Sequence, residues 1–406
     1  MSTPPQRSDV DALRFRDALR GLPARVWIIS AGILVNRVGN FLPVFIVLYL
    51  TERGYSAGAA GLVLGVSGLG NVLGNTVGGF LADRIGRRWT IVLSAVPTAG
   101  LTALVPALGS YPGIVAVVGL IGVTSQIYRP AAAAVLLDSV TTHRQRLAAF
   151  GVFRFAMNLG AALGGVIGGV LASSSYVELF LSNAALCLLF GVVVAVLLRD
   201  APRYPDAPAS TTDVDAPSYR RAFADRTLMR FLLMTVVGEF VYIQSTVGLP
   251  LHVNDAGLSA RDFGLLLGLN GLLVLLLELP ITGAVARYRP EHVLAVGNLL
   301  IGAGLALTGF MAHMVPLAAT VLLWTLGEML SSSVAHAHLG SLTPPRMTGR
   351  YQGMYGAAYT IGTGAGPIIG GAAYALGPWV LWVLVGAAGL LAAWLSLPRL
   401  PRHVSR

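Results

Sequence analysis

The sequence contains no lysine; all 28 of its basic residues are arginine. That absence removes a phosphate-binding loop, which needs a lysine on the β- and γ-phosphates, and with it ATP-driven transport within this chain. A Schiff-base mechanism is excluded for the same reason. Cysteine occurs once, as Cys187 in an apolar run, so no disulfide framework and no cysteine metal site can form. His336 and His338 lie two positions apart, about 200° around a helix, and do not share a metal. No nucleophile motif stands out, and we expect neither an enzyme nor a bound cofactor. Charge is scarce as well. Only 11% of residues are charged, against roughly 25% in soluble domains.

What fills the chain instead is apolar. Hydrophobic residues make up 55% of 406, gathered in long runs between short polar knots. A hydrocarbon core about 30 Å thick needs about 20 helical residues. That ruler predicts an all-α membrane protein with twelve transmembrane helices, over 26–50, 57–81, 89–108, 112–137, 147–172, 177–198, 228–253, 261–286, 291–311, 314–340, 347–373 and 376–397. Residues 1–25 are polar and carry five arginines, which does not fit a cleaved secretory signal.

A net charge of +10 could point to nucleic acid. The arginines, however, lie in the knots between spans, so orientation in a lipid bilayer accounts for them and no nucleic-acid partner is expected. With the N-terminus inside, 23 arginines fall on the inner side and only Arg53 and Arg261 outside; Arg37, Arg129 and Arg154 fall within spans. By the positive-inside rule both termini are cytoplasmic, in a multi-pass protein of the inner (cytoplasmic) membrane. The proline-rich stretch 199–227 reads as a cytoplasmic linker between two six-helix bundles, 1–198 and 228–406.

The two halves repeat. Gly54, Ser56, Ala57, Gly61, Leu62, Gly65 and Gly68 recur 203 positions later as Gly257, Ser259, Ala260, Gly264, Leu265, Gly268 and Gly271. An even number of spans per half makes this a parallel repeat. Gly61, Gly65 and Gly68 share a helix face and permit close approach of another helix in lipid.

The segment Gly79-Phe80-Leu81-Ala82-Asp83-Arg84-Ile85-Gly86-Arg87-Arg88 resembles the signature loop of the major facilitator superfamily in spacing, position and sidedness. The resemblance implies two pseudo-symmetric six-helix bundles, with spans 1, 4, 7 and 10 lining a central cavity. It also implies that Asp83 caps the eleventh span near Thr348 and Gly349 and contacts Arg87. Read directly, Gly79 permits close packing, Gly86 permits a sharp turn, Arg84, Arg87 and Arg88 hold the loop inside, and Asp138 is placed to accept from Arg87. The expected result is a cytoplasmic gate. The second half carries Gly283-Ala284-Val285-Ala286-Arg287-Tyr288-Arg289-Pro290, with Arg287 where the aspartate would be, so a second latch is not expected. Residues 158–169 are similar to the glycine-rich fifth helix of drug–proton antiporters, although Gly164-Gly165 stands where that family carries Gly-Pro.

Six ionisable residues fall within spans: Arg37, Arg129 and Arg154 in the first half, Glu239, Glu328 and Glu278 in the second. Each costs at least about 2.5–3.5 kcal/mol at mid-helix if it faces lipid, so each is expected to face the bundle interior, a wet cavity or another of the six. Glu239 and Glu328 are the leading candidates for proton coupling. Arg37, Arg129, Asn36, Gln126, Tyr128, Tyr242 and Trp324 are candidates to line the same substrate cavity. Arg154 and Glu278 lie at a similar depth from the cytoplasmic side and are expected to pair across the halves, with Arg129, at a similar depth, as the rival partner of Glu278. The reading is a secondary active transporter, a monomer, exporting small amphipathic compounds or drugs against protons by alternating access. Uptake of a sugar or peptide by symport or uniport is the alternative.

Overall fold

The computed structural model describes residues 21–140, 142–198, 223–285, 287–344 and 348–397. Most of the expected linker, the N-terminal arginines before residue 21 and the C-terminal arginines lie outside them. The described residues are almost wholly helical. In chain order the helices are α1 (Ala24–Val38), α2 (Leu42–Glu52), α3 (Ala57–Arg84), α4 (Arg87–Leu104), α5 (Tyr111–Gln126), α6 (Tyr128–Ser139), α7 (His143–Ser174) and α8 (Tyr176–Leu197). They continue as α9 (Arg226–Tyr242), α10 (Gly248–Asp255), α11 (Ala260–Val285), α12 (Pro290–Thr308), α13 (Met314–Leu342), α14 (Thr348–Leu376) and α15 (Pro378–Ser396).

Among the described residues, eleven helical stretches are long and apolar enough to cross a membrane. The expected eleventh span forms the 29-residue α14, whose many glycines and tyrosines leave it outside that set. Apolar side chains point outward across these helices: Leu279 is 84% exposed and Val383 69%. Lipid is the solvent that makes such a surface tolerable.

Three expected spans are broken rather than continuous. The first parts between α1 and α2 at Gly39-Asn40-Phe41, the fourth between α5 and α6 at Ile127, and the seventh between α9 and α10 over a 3₁₀ turn, Ile243–Ser245. The cause is local in each case. Pro43, Pro130 and Pro250 cannot donate to the carbonyl four residues back, at Gly39, Gln126 and Thr246, and their rings crowd it. In lipid the freed backbone groups need partners. Asn183 Oδ1 accepts from the Leu42 amide at 3.2 Å. Gln244, wholly buried, donates through Nε2 to the Phe240 and Gly366 carbonyls at 2.9 and 3.1 Å.

The chain packs as two units. The first takes the described residues up to 42 and 69–198; the second takes 43–68 and the described residues from 223 on. The sequence repeat appears in both chain geometry and packing. Gly54 and Gly257, 203 positions apart, both adopt positive φ (84° and 73°). Each ends a helix in the same way, with the next residue's amide (Tyr55, Leu258) reaching back 3.0 Å to the carbonyl of Leu50 or Val253. Ser56 and Ser259 then cap α3 and α11, accepting from the amides of Ala59 and Asp262 at 3.2 and 3.3 Å.

Within the first unit α1 packs on α7 and α8, and α4 on α8. Within the second, α9 packs on α14 and α15, and α12 on α15. Segment 43–68 joins the second unit through its glycine face. A Cβ on Gly61 would run into the Pro367 carbonyl of α14, and one on Gly68 would come 3.2 Å from Gly364 Cα. Phe45 adds an edge-to-face contact with Phe263, centroids 5.7 Å apart.

Candidate functional site

The second unit gathers polar groups inside its apolar bundle. Glu328, halfway along α13, is reached from two other helices. The Tyr242 hydroxyl, at the last residue of α9, donates to Glu328 Oε1 at 2.7 Å. Asn270 on α11 donates through Nδ2 to Glu328 Oε2 at 2.9 Å and to Thr325 Oγ1 at 3.0 Å. Both carboxyl oxygens therefore accept a hydrogen bond. Trp324, one turn before Glu328, is 1% exposed and meets the Tyr242 ring edge-on, centroids 6.0 Å apart. Its backbone runs close to Gly304, where a Cβ would come 2.7 Å from the Trp324 amide nitrogen.

Glu239 lies on α9, one turn before Tyr242, within electrostatic range of Glu328 and Tyr355. Its backbone is pressed against α14: a Cβ on Gly362 would come 2.6 Å from Glu239 Cβ and 2.7 Å from the Val236 carbonyl. Two carboxylates, two tyrosines and an asparagine thus share one bundle. Sequence reasoning missed Asn270 and Thr325. A single amide inside the apolar run 263–279 was the available signal, since a polar side chain there needs a partner in the bundle.

In the first unit Arg37 holds the matching place. Arg37 and Glu239 each stand fourteenth in their helices, α1 and α9. Arg37 faces Gly160 of α7 as Glu239 faces Gly362 of α14, at the same 2.6 Å for the missing Cβ. The repeat has kept the glycine contact and inverted the charge. Arg37 Nε and Gln126 Oε1 are buried without a hydrogen-bond partner among the described residues. Asn36 Oδ1 accepts from Cys187 Sγ at 3.6 Å, tying α1 to α8. Arg129 is exposed, just past the break at Ile127. Tyr128 is a correction to the cavity expectation: it is 5% exposed in the apolar core, edge-on to Phe190 at 5.6 Å. The i+1 step from Ile127 turns its ring away from the face that Arg129 uses.

The signature loop has a defined geometry. Gly86 takes φ +91° between α3 and α4. Arg87 Nε lies 3.1 Å from Asp138 at the end of α6. Arg88 donates to the Ala195 carbonyl of α8, Arg84 stacks over Phe80 at 4.5 Å, and Asp83 is exposed. Gly79 differs from expectation: nothing lies within 4 Å of a Cβ built there. Its neighbour Gly78 makes the close approach, to the Ile127 carbonyl, below Gly74 on Val123 and Gly70 on Gly119. The packing stripe is thus 70, 74, 78, one position off the signature glycine. Of the remaining pair, Arg154 is exposed and Glu278 is 9% exposed.

The sequence profile of the Major Facilitator Superfamily matches residues 29–286 and 245–406. The chain is 31% identical over 358 residues to the uncharacterized MFS-type transporter YttB of Bacillus subtilis (strain 168), covering 86% of this chain and 88% of that one. It is 24% identical to a Na(+), Li(+), K(+)/H(+) antiporter of Planococcus maritimus, covering 80% and 83%. It is 25% identical to the multidrug resistance protein MdtH of Klebsiella pneumoniae (strain 342), covering 77% and 76%. Among solved structures, the peptide transporter POT superposes with a TM-score of 0.76 over 94% of this chain and 96% of that one, at 14% identity.

Proposed function

The chain belongs to the major facilitator superfamily, a multi-pass membrane transporter and not an enzyme, and from that premise we propose that it exchanges protons for small amphipathic compounds, exporting drugs or drug-like cations by alternating access. The observation that carries the reading is the carboxylate pair Glu239 and Glu328 inside a lipid-facing bundle, with Tyr242 and Asn270 donating to Glu328. Buried carboxyls exchange protons where water is scarce. A cation entering beside them favours the charged form and expels the proton, which is the coupling an antiporter needs. The aromatic groups Tyr242 and Tyr355 beside the carboxylates suit a flat amphipathic cation. Similarity to MdtH and to a proton-linked antiporter supports the same class.

The 23-to-2 arginine split supports the inner membrane with both termini cytoplasmic. The loop 79–88 with Asp138 is assigned to the gate on that side, and by depth Arg154 and Glu278 belong there too. Arg37 and Arg129 are assigned to the first half's share of the cavity, with Asn36 and Gln126.

Purified protein in liposomes tests this. An acidic lumen should drive ethidium into the vesicles, and Glu239→Gln and Glu328→Gln should each remove that acceleration. Ethidium flux indifferent to the gradient would end the antiport reading. Exchange of sodium but not ethidium would favour the chemistry of the Planococcus relative. A dipeptide or xylose moving with the proton rather than against it would favour nutrient symport.

A further inference from the structure

A second polar site lies at one edge of the second unit, away from the glutamate pair. Arg226 opens α9 and Arg230 follows one turn later; Ser396 closes α15 beside them. Two cavities meet at these arginines. One, of about 310 Å³, is polar in part: Thr227, Glu291, His338 and Ser396 line it with Arg226 and Arg230. The other, of about 270 Å³, shares both arginines but is otherwise apolar, lined by Met229, Leu233, Trp394 and Leu395. Leu233 is 50% exposed and Trp394 61%, so this second groove opens on the surface that lipid covers.

Arg230 is fixed in place. Its guanidinium donates to the Trp394 carbonyl and lies 5.1 Å from the centre of the Trp394 ring. Two acids of this edge, Asp225 and Glu291, have partners of their own. Asp225 accepts from the amides of Thr227 and Leu228 at 2.9 and 3.1 Å and from the Tyr351 hydroxyl at 3.0 Å. Glu291 lies 3.8 Å from Arg289 Nε. In sequence, Arg220, Arg221, Arg399 and Arg402 flank the same two helix ends, outside the described residues. The edge is therefore basic, on the side that the positive-inside rule makes cytoplasmic. Trp394 sits where amphipathic rings mark the membrane–water boundary.

We propose that this edge binds one anionic phospholipid of the cytoplasmic leaflet. Its phosphate sits between Arg226 and Arg230, and one acyl chain runs along Met229, Leu233 and Trp394. Basic pockets between spanning helices at the cytoplasmic surface recognise anionic headgroups in this way. The apolar groove leading from the same arginines is what a lipid needs and a soluble anion does not.

Native mass spectrometry of the detergent-purified full chain tests it, with phosphatidylglycerol, phosphatidylcholine or glycerol 3-phosphate added at equal concentration. Wild type should retain phosphatidylglycerol and neither of the others. The pair Arg226→Gln and Arg230→Gln should weaken that retention roughly thirtyfold. Leu233→Trp, which fills the groove and leaves both arginines, should also weaken it. Equal retention of the two lipids would overturn the proposal, as would retention of glycerol 3-phosphate to the same degree. So would undiminished phosphatidylglycerol binding by the Leu233→Trp protein, a result that stands even where the double arginine variant fails to fold.

Discussion

Glu328 is held at both oxygens, and the two donors differ in what their loss should do. Removing the Tyr242 hydroxyl or the Asn270 amide deletes a hydrogen bond to an ionisable acceptor, worth about 1.5–3 kcal/mol. Tyr242→Phe and Asn270→Ala should each slow gradient-driven ethidium uptake about tenfold or more. Thr325→Val, which leaves both contacts to Glu328 intact, should stay near the wild-type rate. Wild-type uptake by Tyr242→Phe would show that the contact plays no part in transport. The charged residues of this site were legible in the sequence because charge within a span is conspicuous. Asn270 was not, since an uncharged amide barely lowers the hydropathy of a run. The same blindness placed Tyr128 beside a cavity: its neighbours in sequence are polar, but the helix phase that buries it against Phe190 is set only when α6 starts afresh after Ile127.

That the chain is built of long membrane-spanning helices was readable from apolar length, which bilayer thickness dictates directly. The breaks at 39–41, 127 and 243–247 were not, because a length ruler counts residues without asking which carbonyl a proline strands. Pro43, Pro130 and Pro250 were the marks, and they matter because broken spans put free backbone groups inside the bundle. The stripe on α3 gives a test with its own control. Gly78→Ala drives a methyl into the Ile127 carbonyl, whereas Gly79→Ala meets nothing. The first should cost about 1–3 kcal/mol and the second no more than about 0.5 kcal/mol, read as thermal unfolding in detergent. Equal losses from the two neighbours would mean that α3 faces α5 and α6 with a different side.

At the scale of the whole molecule, two units repeat one packing plan and differ in charge. Arg37 and Glu239, 202 positions apart, stand at equivalent places against glycines that are also 202 apart, one position off the register of the seven matches at a spacing of 203. Duplication supplies the scaffold; the exchange of arginine for glutamate gives the second unit its acidic cluster. In the proposed exchange this cluster gives up a proton when substrate arrives. Proton release on adding ethidium to the detergent-solubilised protein in weakly buffered solution, followed with a pH indicator, tests it most directly. Wild type should acidify the solution, and the protein carrying Glu239→Gln with Glu328→Gln should not. Ethidium binding to wild type without any change in pH would contradict it.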